Sequence, residues 1–319
     1  MSPDLLDPDI REFLEVLNGD WRRHPPIASL SIPEARAVAE TVRARWTAGG
    51  AAMEETREQL VETPAGSVRI RIHRPAGLRR EDAPALVYLH GGGFVLFSLD
   101  THDRLMREYA AQGGFVVIGV DYPLSPEAKY PAALDRVAAF VRWLREEGAS
   151  LGVDPARIAI GGDSVGANLS IAACLKLRDA GEAGLIRGVL CNYGAFSGRC
   201  SDEAERLHGG PDSIMDRAEI EYYFRNYLDA PEQLDDPLAC PIEADLHGLP
   251  PVFLVIPEFD ILTEQSLVMR DRLAKAGVAV DSRLYPGTTH SFLEAMSIAP
   301  VAREAIADGA RFIRARLDA

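Results

Sequence analysis

Near its centre the chain reads Ile158-Ala-Ile-Gly-Gly-Asp-Ser-Val-Gly-Ala-Asn168: a short apolar run, a glycine-rich turn and an alanine-rich segment. In this order, such segments are typical of a buried strand that turns sharply into a helix. Ser164 occupies the turn, flanked by Gly162 and Gly166, and a Cβ at either glycine would crowd the neighbouring backbone. A capping serine in an ordinary turn is the alternative, but the strand and helix context favours a nucleophile on a strained elbow. We therefore predict that Ser164 is a nucleophile at a helix N-terminus, where the helix dipole stabilises negative charge.

The flanking sequence predicts an α/β protein. Short, almost continuous apolar runs alternate with segments of helical periodicity, and such runs are typical of a parallel sheet that is covered on both faces. The alternation indicates a doubly wound sheet with right-handed crossovers. An antiparallel pair at 57–62 and 68–73 precedes these runs and a last strand follows at 280–285, so we expect a mostly parallel, eight-stranded sheet. The apolar runs lie at 85–89, 115–120, 158–160, 188–191 and 252–256, and the helices between them at 99–111, 131–147 and 165–180.

Two segments near the N-terminus and one long interval fall outside this alternation. Apolar residues recur at helical spacing in 9–17 and 33–46, and the interval 195–249 is far longer than a crossover needs. Insertions of this length usually form lids or binding elements. We predict that residues 1–52 form N-terminal cap helices and that 53–319 form the catalytic domain, with a cap insertion at about 195–249.

A serine nucleophile needs a general base, and the base needs a carboxylate that orients it. His290 lies in a polar loop after the last predicted strand, and Asp260 lies just beyond the strand before it. The chain order of serine, acid and histidine is the order used by the fold that carries this elbow. Glu258 is an alternative acid, whereas the other histidines lack a comparable position after a strand. We predict catalytic roles for Ser164, Asp260 and His290.

A glycine-rich loop follows another apolar strand and supplies candidate hydrogen-bond donors. The sequence from His90 to Gly93 is His-Gly-Gly-Gly, so its backbone amides are clear of side chains. Beside the elbow, the amides of Gly91 and Gly92 can point at one oxyanion, with that of Val165 as a third donor. A phosphate-binding turn is the alternative, but neither Gly-x-Gly-x-x-Gly nor a Walker pattern is present, so nucleotide binding is not expected. We predict that Gly91, Gly92 and Val165 form an oxyanion hole.

Composition argues against several classes of partner. The chain has 319 residues, with 34 Lys and Arg against 48 Asp and Glu, and a net charge of −14. A field of this sign repels nucleic acid and anionic membranes, although it also serves solubility. No apolar stretch approaches the roughly 18 residues of a membrane span, and the acidic N-terminus, with Asp4, Asp7 and Asp9, does not resemble a signal peptide. We expect a cytoplasmic protein with no nucleic-acid or membrane partner.

Neither a metal nor a cofactor is expected. Histidines and carboxylates show no ligand spacing on one helix or hairpin, and the four cysteines show no Cys-x-x-Cys spacing. Cys174 and Cys191 lie in apolar runs and are predicted to be core residues. A disulfide between Cys200 and Cys240 stays open, because both lie in a less regular region.

Several blocks of sequence resemble the hormone-sensitive-lipase-like family of microbial carboxylesterases, over roughly residues 57–319. Besides the elbow, these are His-Gly-Gly-Gly-Phe-Val at 90–95, Asp-Thr-His-Asp at 100–103, and a block at 121–135 that begins Asp-Tyr-Pro-Leu-Ser-Pro-Glu. The resemblance implies the α/β-hydrolase fold with a helical cap, and the same triad and oxyanion donors as above. It also implies hydrolysis of short-chain acyl esters through an acyl-enzyme intermediate, with no cofactor.

The chain departs from the family pattern where substrate is expected. Phe97 stands where the family commonly has glycine, which should narrow the pocket, and Val165 and Ser291 replace a usual alanine and glycine. An amidase, a thioesterase or an acyltransferase could use the same triad, whereas a non-catalytic small-molecule receptor would not need His290. An exposed last strand would permit a homodimer. Candidates for substrate contact are Phe94, Phe97, Tyr193, Leu262 and Phe292, together with Trp21.

Overall fold

The computed structural model describes residues 5–210 and 213–319, and the strands of these residues form one sheet. They are β1 (Glu55–Thr63), β2 (Gly66–Arg74), β3 (Ala83–Leu89), β4 (Val116–Asp121), β5 (Val153–Asp163), β6 (Val189–Asn192), β7 (Val252–Phe259) and β8 (Val280–Thr289). Their order across the sheet is β1-β2-β4-β3-β5-β6-β7-β8. β2 runs antiparallel to β1 and β4, and all other neighbours are parallel. The predicted mostly parallel, eight-stranded sheet is confirmed.

Helices cover both faces of this sheet. Those of the described ranges are α1 (Pro8–Trp21), α2 (Ile32–Thr47), α3 (Asp103–Gly113), α4 (Ala132–Glu147), α5 (Val165–Asp179), α6 (Asp202–His208), α7 (Arg217–Tyr227), α8 (Thr263–Lys275) and α9 (Pro300–Leu317). Every residue of β3 is buried, and successive residues face opposite sides of the sheet. Val87 and Leu89 share a core with α4, α5 and α8, whereas Leu86 and Tyr88 share a second core with α1, α3 and α9. The sheet is therefore covered on both faces, as the continuous apolar runs predict.

Local sequence explains where the outer helices begin. The Asp7 side chain caps α1 by accepting hydrogen bonds from two amides of the first turn, at 2.9 and 3.3 Å. Asp216 and Glu219 form a reciprocal capping box at the start of α7, and at the start of α2 the Glu34 carboxylate accepts hydrogen bonds from the Ser31 amide, at 3.0 Å, and from the Ser31 hydroxyl. These polar pairs satisfy amides that would otherwise lack a partner.

The segments that were predicted to form a cap both contain helices. α1 and α2 precede the sheet, and α6 and α7 lie between β6 and β7. Residues 1–4 and 211–212 of these segments lie outside the described residues, and the division into domains stays a prediction. No helix in the described ranges combines the length and the apolar character that a bilayer span requires.

Two details differ from the sequence-based expectation. α3 begins at Asp103 rather than at residue 99, because the Thr101 hydroxyl holds the preceding residues in a turn. This hydroxyl donates a hydrogen bond to the Ser98 carbonyl oxygen at 2.8 Å and accepts one from the Ser98 amide at 3.0 Å. The cysteines are free thiols, so Cys200 and Cys240 do not form the disulfide that the sequence left open.

Candidate active site

Ser164 lies on a sharp turn between β5 and α5. Its backbone has φ +54° and ψ −118°, a region that residues with a Cβ rarely adopt, so the turn is strained. A Cβ at Gly162 or Gly166 would overlap the carbonyl oxygen of Leu89 on the neighbouring β3. The turn is tied to the sheet, because the Ser164 amide donates a hydrogen bond to the carbonyl oxygen of Asn192 at 2.9 Å. Strand, turn and helix therefore place this serine at the carboxyl edge of the sheet.

His290 and Asp260 meet because they follow two neighbouring parallel strands. Phe259 and Thr289, the last residues of β7 and β8, are paired in the sheet, and the next residue of each chain segment is the acid or the histidine. His290 Nδ1 lies 2.7 Å from Asp260 Oδ2, in a hydrogen bond between two buried side chains. The alternative acid, Glu258, instead accepts a hydrogen bond from the Gly287 amide at 2.8 Å. Of the two candidate acids, Asp260 contacts the imidazole.

One cavity of about 730 Å³ brings the serine and the histidine together, since Ser164 and His290 both line it. Among the described residues, the Ser164 hydroxyl forms no hydrogen bond with the imidazole. Contacts between a nucleophile and its base are often long in the absence of substrate. The cavity is large enough for a small organic molecule.

Two residues of the glycine loop line this cavity, and they differ from the predicted pair of Gly91 and Gly92. The Gly91 amide donates a hydrogen bond to Asp163 Oδ1 at 3.1 Å, and Gly91 does not line the cavity in the described structure. Gly92, Gly93 and Val165 do line it, and their amides donate no hydrogen bond within the described part of the chain. The candidate oxyanion donors are therefore Gly92, Gly93 and Val165, with Gly93 in place of Gly91.

Phe97 and Trp21 line the cavity, as expected for substrate contacts. Phe97 has φ +70°, a left-handed conformation that favours glycine. This explains in physical terms why a glycine is common at this position in the resembling family. The aromatic ring occupies space that a glycine would leave open.

The other residues predicted to contact substrate lie in the core, and none of them is among the described residues that line the cavity. Phe94 stacks on Tyr227 of α7, with ring centroids 3.6 Å apart. Tyr193 packs edge-on against Phe292, with centroids 6.0 Å apart, and both rings are fully buried. Leu262, just before α8, is also buried. These four predictions are corrected: the residues are close to the site in sequence, but their side chains pack behind its walls.

Sequence reasoning missed most of the side chains that α2 and α7 add to the cavity. Arg43 shares the buried face of α2 with Ala39 and Trp46, and a charged residue on an apolar helix face is the signal that could have found it. On α7, burial and the nearby charge of Asp216 raise the pKa of Glu219 to about 7. Further wall residues are His24, Ile214, Tyr222 and Tyr223.

A buried pair of opposite charges lies behind the elbow. His102 Nε2 is 3.2 Å from Asp163 Oδ2, and the other carboxylate oxygen accepts hydrogen bonds from Tyr88 at 3.0 Å and from Gly91 at 3.1 Å. Burial by itself would lower the pKa of His102 and raise that of Asp163, but their mutual attraction and hydrogen bond reverse both directions. Burial lowers the pKa of the nearby His90, and the positive charge of His102 lowers it further, to about 4. In the described ranges, no three His, Cys, Asp or Glu side chains are grouped so that they could hold a metal ion.

Comparison with known proteins gives consistent matches over nearly the whole chain. A family model described as the alpha/beta hydrolase fold matches residues 86–294. A hyperthermophilic esterase from the archaeon Pyrobaculum calidifontis is 30% identical, over 97% of this chain and 98% of that chain, with a TM-score of 0.89. An ester hydrolase from the metagenome of Lake Arreo, complexed with a bipyridine phosphonate derivative, is 30% identical over 98% of this chain and 100% of that chain, with a TM-score of 0.91.

A thermostable carboxylesterase cloned from a metagenomic library is 31% identical, over 91% of this chain and 98% of that chain, with a TM-score of 0.86. The family model covers more than half of the chain, and the similar structures are named esterases. Together with the strained serine turn and the two glycine motifs, these matches confirm the resemblance inferred from the sequence. The chain belongs to the α/β-hydrolase fold family, among the hormone-sensitive-lipase-like esterases.

Proposed function

We propose that this chain is a serine carboxylesterase, a carboxylic ester hydrolase that acts on small acyl esters through an acyl-enzyme intermediate. One observation carries the proposal: His290, which is hydrogen-bonded to Asp260, lines the same cavity as Ser164 on its strained turn. A nucleophile, an oriented base and unbonded amides in one cavity are the parts that acyl transfer needs. The similar proteins named esterases support the same reaction class.

In the proposed cycle, His290 accepts the hydroxyl proton of Ser164 as the serine oxygen attacks the carbonyl carbon of the ester. The Asp260 carboxylate accepts a hydrogen bond from Nδ1–H of His290 and stabilises the imidazolium that forms. The unbonded amides of the glycine loop and of Val165 hold the oxyanion, and each such donor is worth about 3–4 kcal/mol of barrier. The alcohol leaves with the proton from the imidazole. Water, activated by the same imidazole, then releases the acid and restores the serine hydroxyl.

The triad alone does not separate an esterase from an amidase, a thioesterase or an acyltransferase. The His290–Asp260 contact favours an enzyme over a non-catalytic receptor, because a receptor needs no oriented base. Matched ester, thioester and amide substrates with the same acyl group distinguish the remaining classes. We expect the highest kcat/KM for the ester, and hydrolysis rather than transfer when a competing alcohol is added.

The proposal is tested by labelling the protein with a nitrophenyl alkylphosphonate, whose tetrahedral adduct resembles the acyl-transfer intermediate. We expect stoichiometric phosphonylation of the peptide that contains Ser164, located by mass spectrometry. Hydrolysis of nitrophenyl acetate should be lost in parallel with labelling. Full activity after complete labelling of Ser164, or inactivation through a different residue, would contradict the proposal.

Acyl-chain preference should follow from Phe97 in the cavity wall. Among nitrophenyl esters, we expect the highest kcat/KM for short acyl groups. Phe97→Gly should move the optimum to longer chains, because it removes the ring and suits φ +70°; one methylene in an apolar pocket is worth about 1–3 kcal/mol. Phe97→Tyr keeps the ring and should keep the profile. A long-chain optimum in the unsubstituted protein, or the same profile in Phe97→Gly, would reject this role.

A homodimer is a further proposal, based on β8. This strand lies at the edge of the sheet, with no strand beyond it in the described residues, and its Leu284 is 41% exposed. An unpaired strand edge can pair with that of a second copy. Light scattering should therefore show a dimer that Leu284→Lys weakens, whereas a monomer at all concentrations would refute pairing. A small-molecule ester remains the proposed partner; the cytoplasmic setting and the absence of a nucleic-acid partner stay predictions.

A further inference from the structure

Two residues beside the proposed catalytic groups have a backbone conformation that usually requires glycine. Ser291, directly after His290, has φ +58° and ψ +16°, and Phe97, in the loop after Gly93, has φ +70°. A Cβ makes this left-handed region unfavourable. Such strain persists only where surrounding contacts over-determine the conformation. The contacts of these two side chains therefore identify what holds them.

Both side chains contact the same residue, Arg43 of α2. Its Nη2 donates a hydrogen bond to Ser291 Oγ at 3.2 Å, and its guanidinium carbon lies 4.6 Å from the centroid of the Phe97 ring. Its Nη1 lies 3.3 Å from Oε1 of Glu294, further along the segment that follows His290. Arg43 is only 5% exposed and Glu294 only 2%. A cation this far from water depends on its partners, and two of the three are strained or next to the proposed base.

The ionic contacts continue from Glu294 to the elbow. Glu294 Oε1 lies 3.8 Å from His102 Nε2, and that nitrogen lies 3.2 Å from Asp163 Oδ2. Asp163 directly precedes Ser164, and its other carboxylate oxygen holds the amide of Gly91. One line of buried charges thus joins α2 to the segments that carry the nucleophile and the oxyanion donors.

We propose that Arg43 is a positioning residue that fixes the His290 loop relative to the glycine loop, an inference that rests on the proposed function. By holding Ser291 and Phe97 in their left-handed conformations, the guanidinium sets the separation between the base and the oxyanion donors. Arg43 also lines the cavity, but its contacts with Ser291, Phe97 and Glu294 are made within the protein and need no substrate. Arg43 Nε and Nη1 are buried and form no hydrogen bond within the described residues, and Nη2 is bonded to Ser291. α2 therefore acts on the chemistry, in addition to covering the cavity.

A pair of variants at Ser291 separates the backbone strain from the contact with Arg43. Ser291→Gly and Ser291→Ala both remove the hydroxyl that Arg43 binds, but only glycine suits φ +58°. We expect kcat per active site, counted by phosphonate titration, to fall about tenfold in both variants, with KM little changed. The glycine variant should unfold at a higher urea concentration than the alanine variant. A merely structural role would make kcat follow stability instead.

Variants of Arg43 test the same inference from the other side. Arg43→Met removes the charge and the hydrogen bond, and we expect kcat to fall by about 10²-fold, a loss typical of misplacement by about 1 Å. Arg43→Lys keeps a charge near Glu294 and should recover part of this loss. Arg45→Met is the matched control on the same helix, because Arg45 is 54% exposed and pairs with Asp20, away from the proposed site; it should keep the unsubstituted kcat.

The outcomes also separate this inference from the proposed function. Unaltered hydrolysis in Ser164→Ala would reject the proposed function itself. If Ser164→Ala is inactive but Ser291→Gly keeps the unsubstituted kcat, only the positioning role of Arg43 is overturned. If Arg43→Met fails to fold, the Ser291 pair still decides, because Ser291→Gly relieves strain rather than adding it. A fall in kcat for Ser291→Gly without a loss of stability supports the inference.

Discussion

Replacing Ser164 or His290 with alanine is expected to lower kcat for nitrophenyl ester hydrolysis by about 10⁶-fold. Ser164 supplies the attacking oxygen, and His290, which Asp260 orients, accepts its proton, so either substitution removes a group that takes part in the reaction. Asp260→Asn should lower kcat by about 10⁴-fold, because the amide can hold the imidazole in the wrong tautomer. Steady-state kinetics with phosphonate-titrated enzyme measure these losses, and circular dichroism verifies that each variant is folded.

Non-additivity is the stricter test of this prediction. Residues that act as one unit lose their effect once any member is gone, so Ser164→Ala/His290→Ala should be no less active than Ser164→Ala alone. Glu258→Gln is the matched control for the acid, because Glu258 bonds the Gly287 amide and not the imidazole. A loss in Glu258→Gln as large as that in Asp260→Asn would show that the acid is misassigned.

Much of the fold could be predicted because the sheet residues carry a local signal. Every residue of β3 is buried, and only a nearly continuous apolar run can satisfy that environment. The start of α3 carried a conflicting signal. Residues 99–102 have helical periodicity, but the Thr101 hydroxyl bonds the Ser98 backbone and holds those residues in a turn. Periodicity does not report this competition between a side chain and the helix.

In the candidate site, contacts that follow from the pairing of neighbouring strands could be predicted. Side-chain contacts between segments that are distant in the sequence could not. Asp260 and His290 each follow a strand end, and neighbouring parallel strands bring such ends together. Which glycine amide stays unbonded depends instead on Asp163, which reaches from β5 to bind Gly91. The contact between Arg43 and Ser291 joins residues 248 positions apart, and no local pattern links them.

Asp163→Ala is expected to lower the free energy of unfolding by about 3–5 kcal/mol, a typical result of removing one partner from a buried ion pair. The substitution removes the nearer of the two carboxylates beside the buried His102, and it leaves the Tyr88 hydroxyl and the Gly91 amide without the acceptor that they share. Because Gly91 precedes the proposed oxyanion donors, kcat should also fall. Urea unfolding measures the stability loss, and Asp163→Asn, which keeps an acceptor but no charge, should lose less.

The pH dependence of this difference tests the ionic part of the argument. The pKa of His102 is raised above 6.5 in the folded chain, so its pairing contributes fully below that pH and is lost as pH rises through the folded pKa. The pKa of Asp163 is lowered below 3.8, so its contribution is present above that pH and is lost as pH falls through the folded pKa. The stability difference between the unsubstituted protein and Asp163→Asn should therefore be largest between these limits and should narrow on going from about pH 6 to about pH 9. Glu294, whose pKa burial raises, lies close to His102 in both proteins, so its titration should largely cancel in the difference. A difference that stays constant over this range would show that hydrogen bonds alone, and not charge, hold the elbow to the glycine loop.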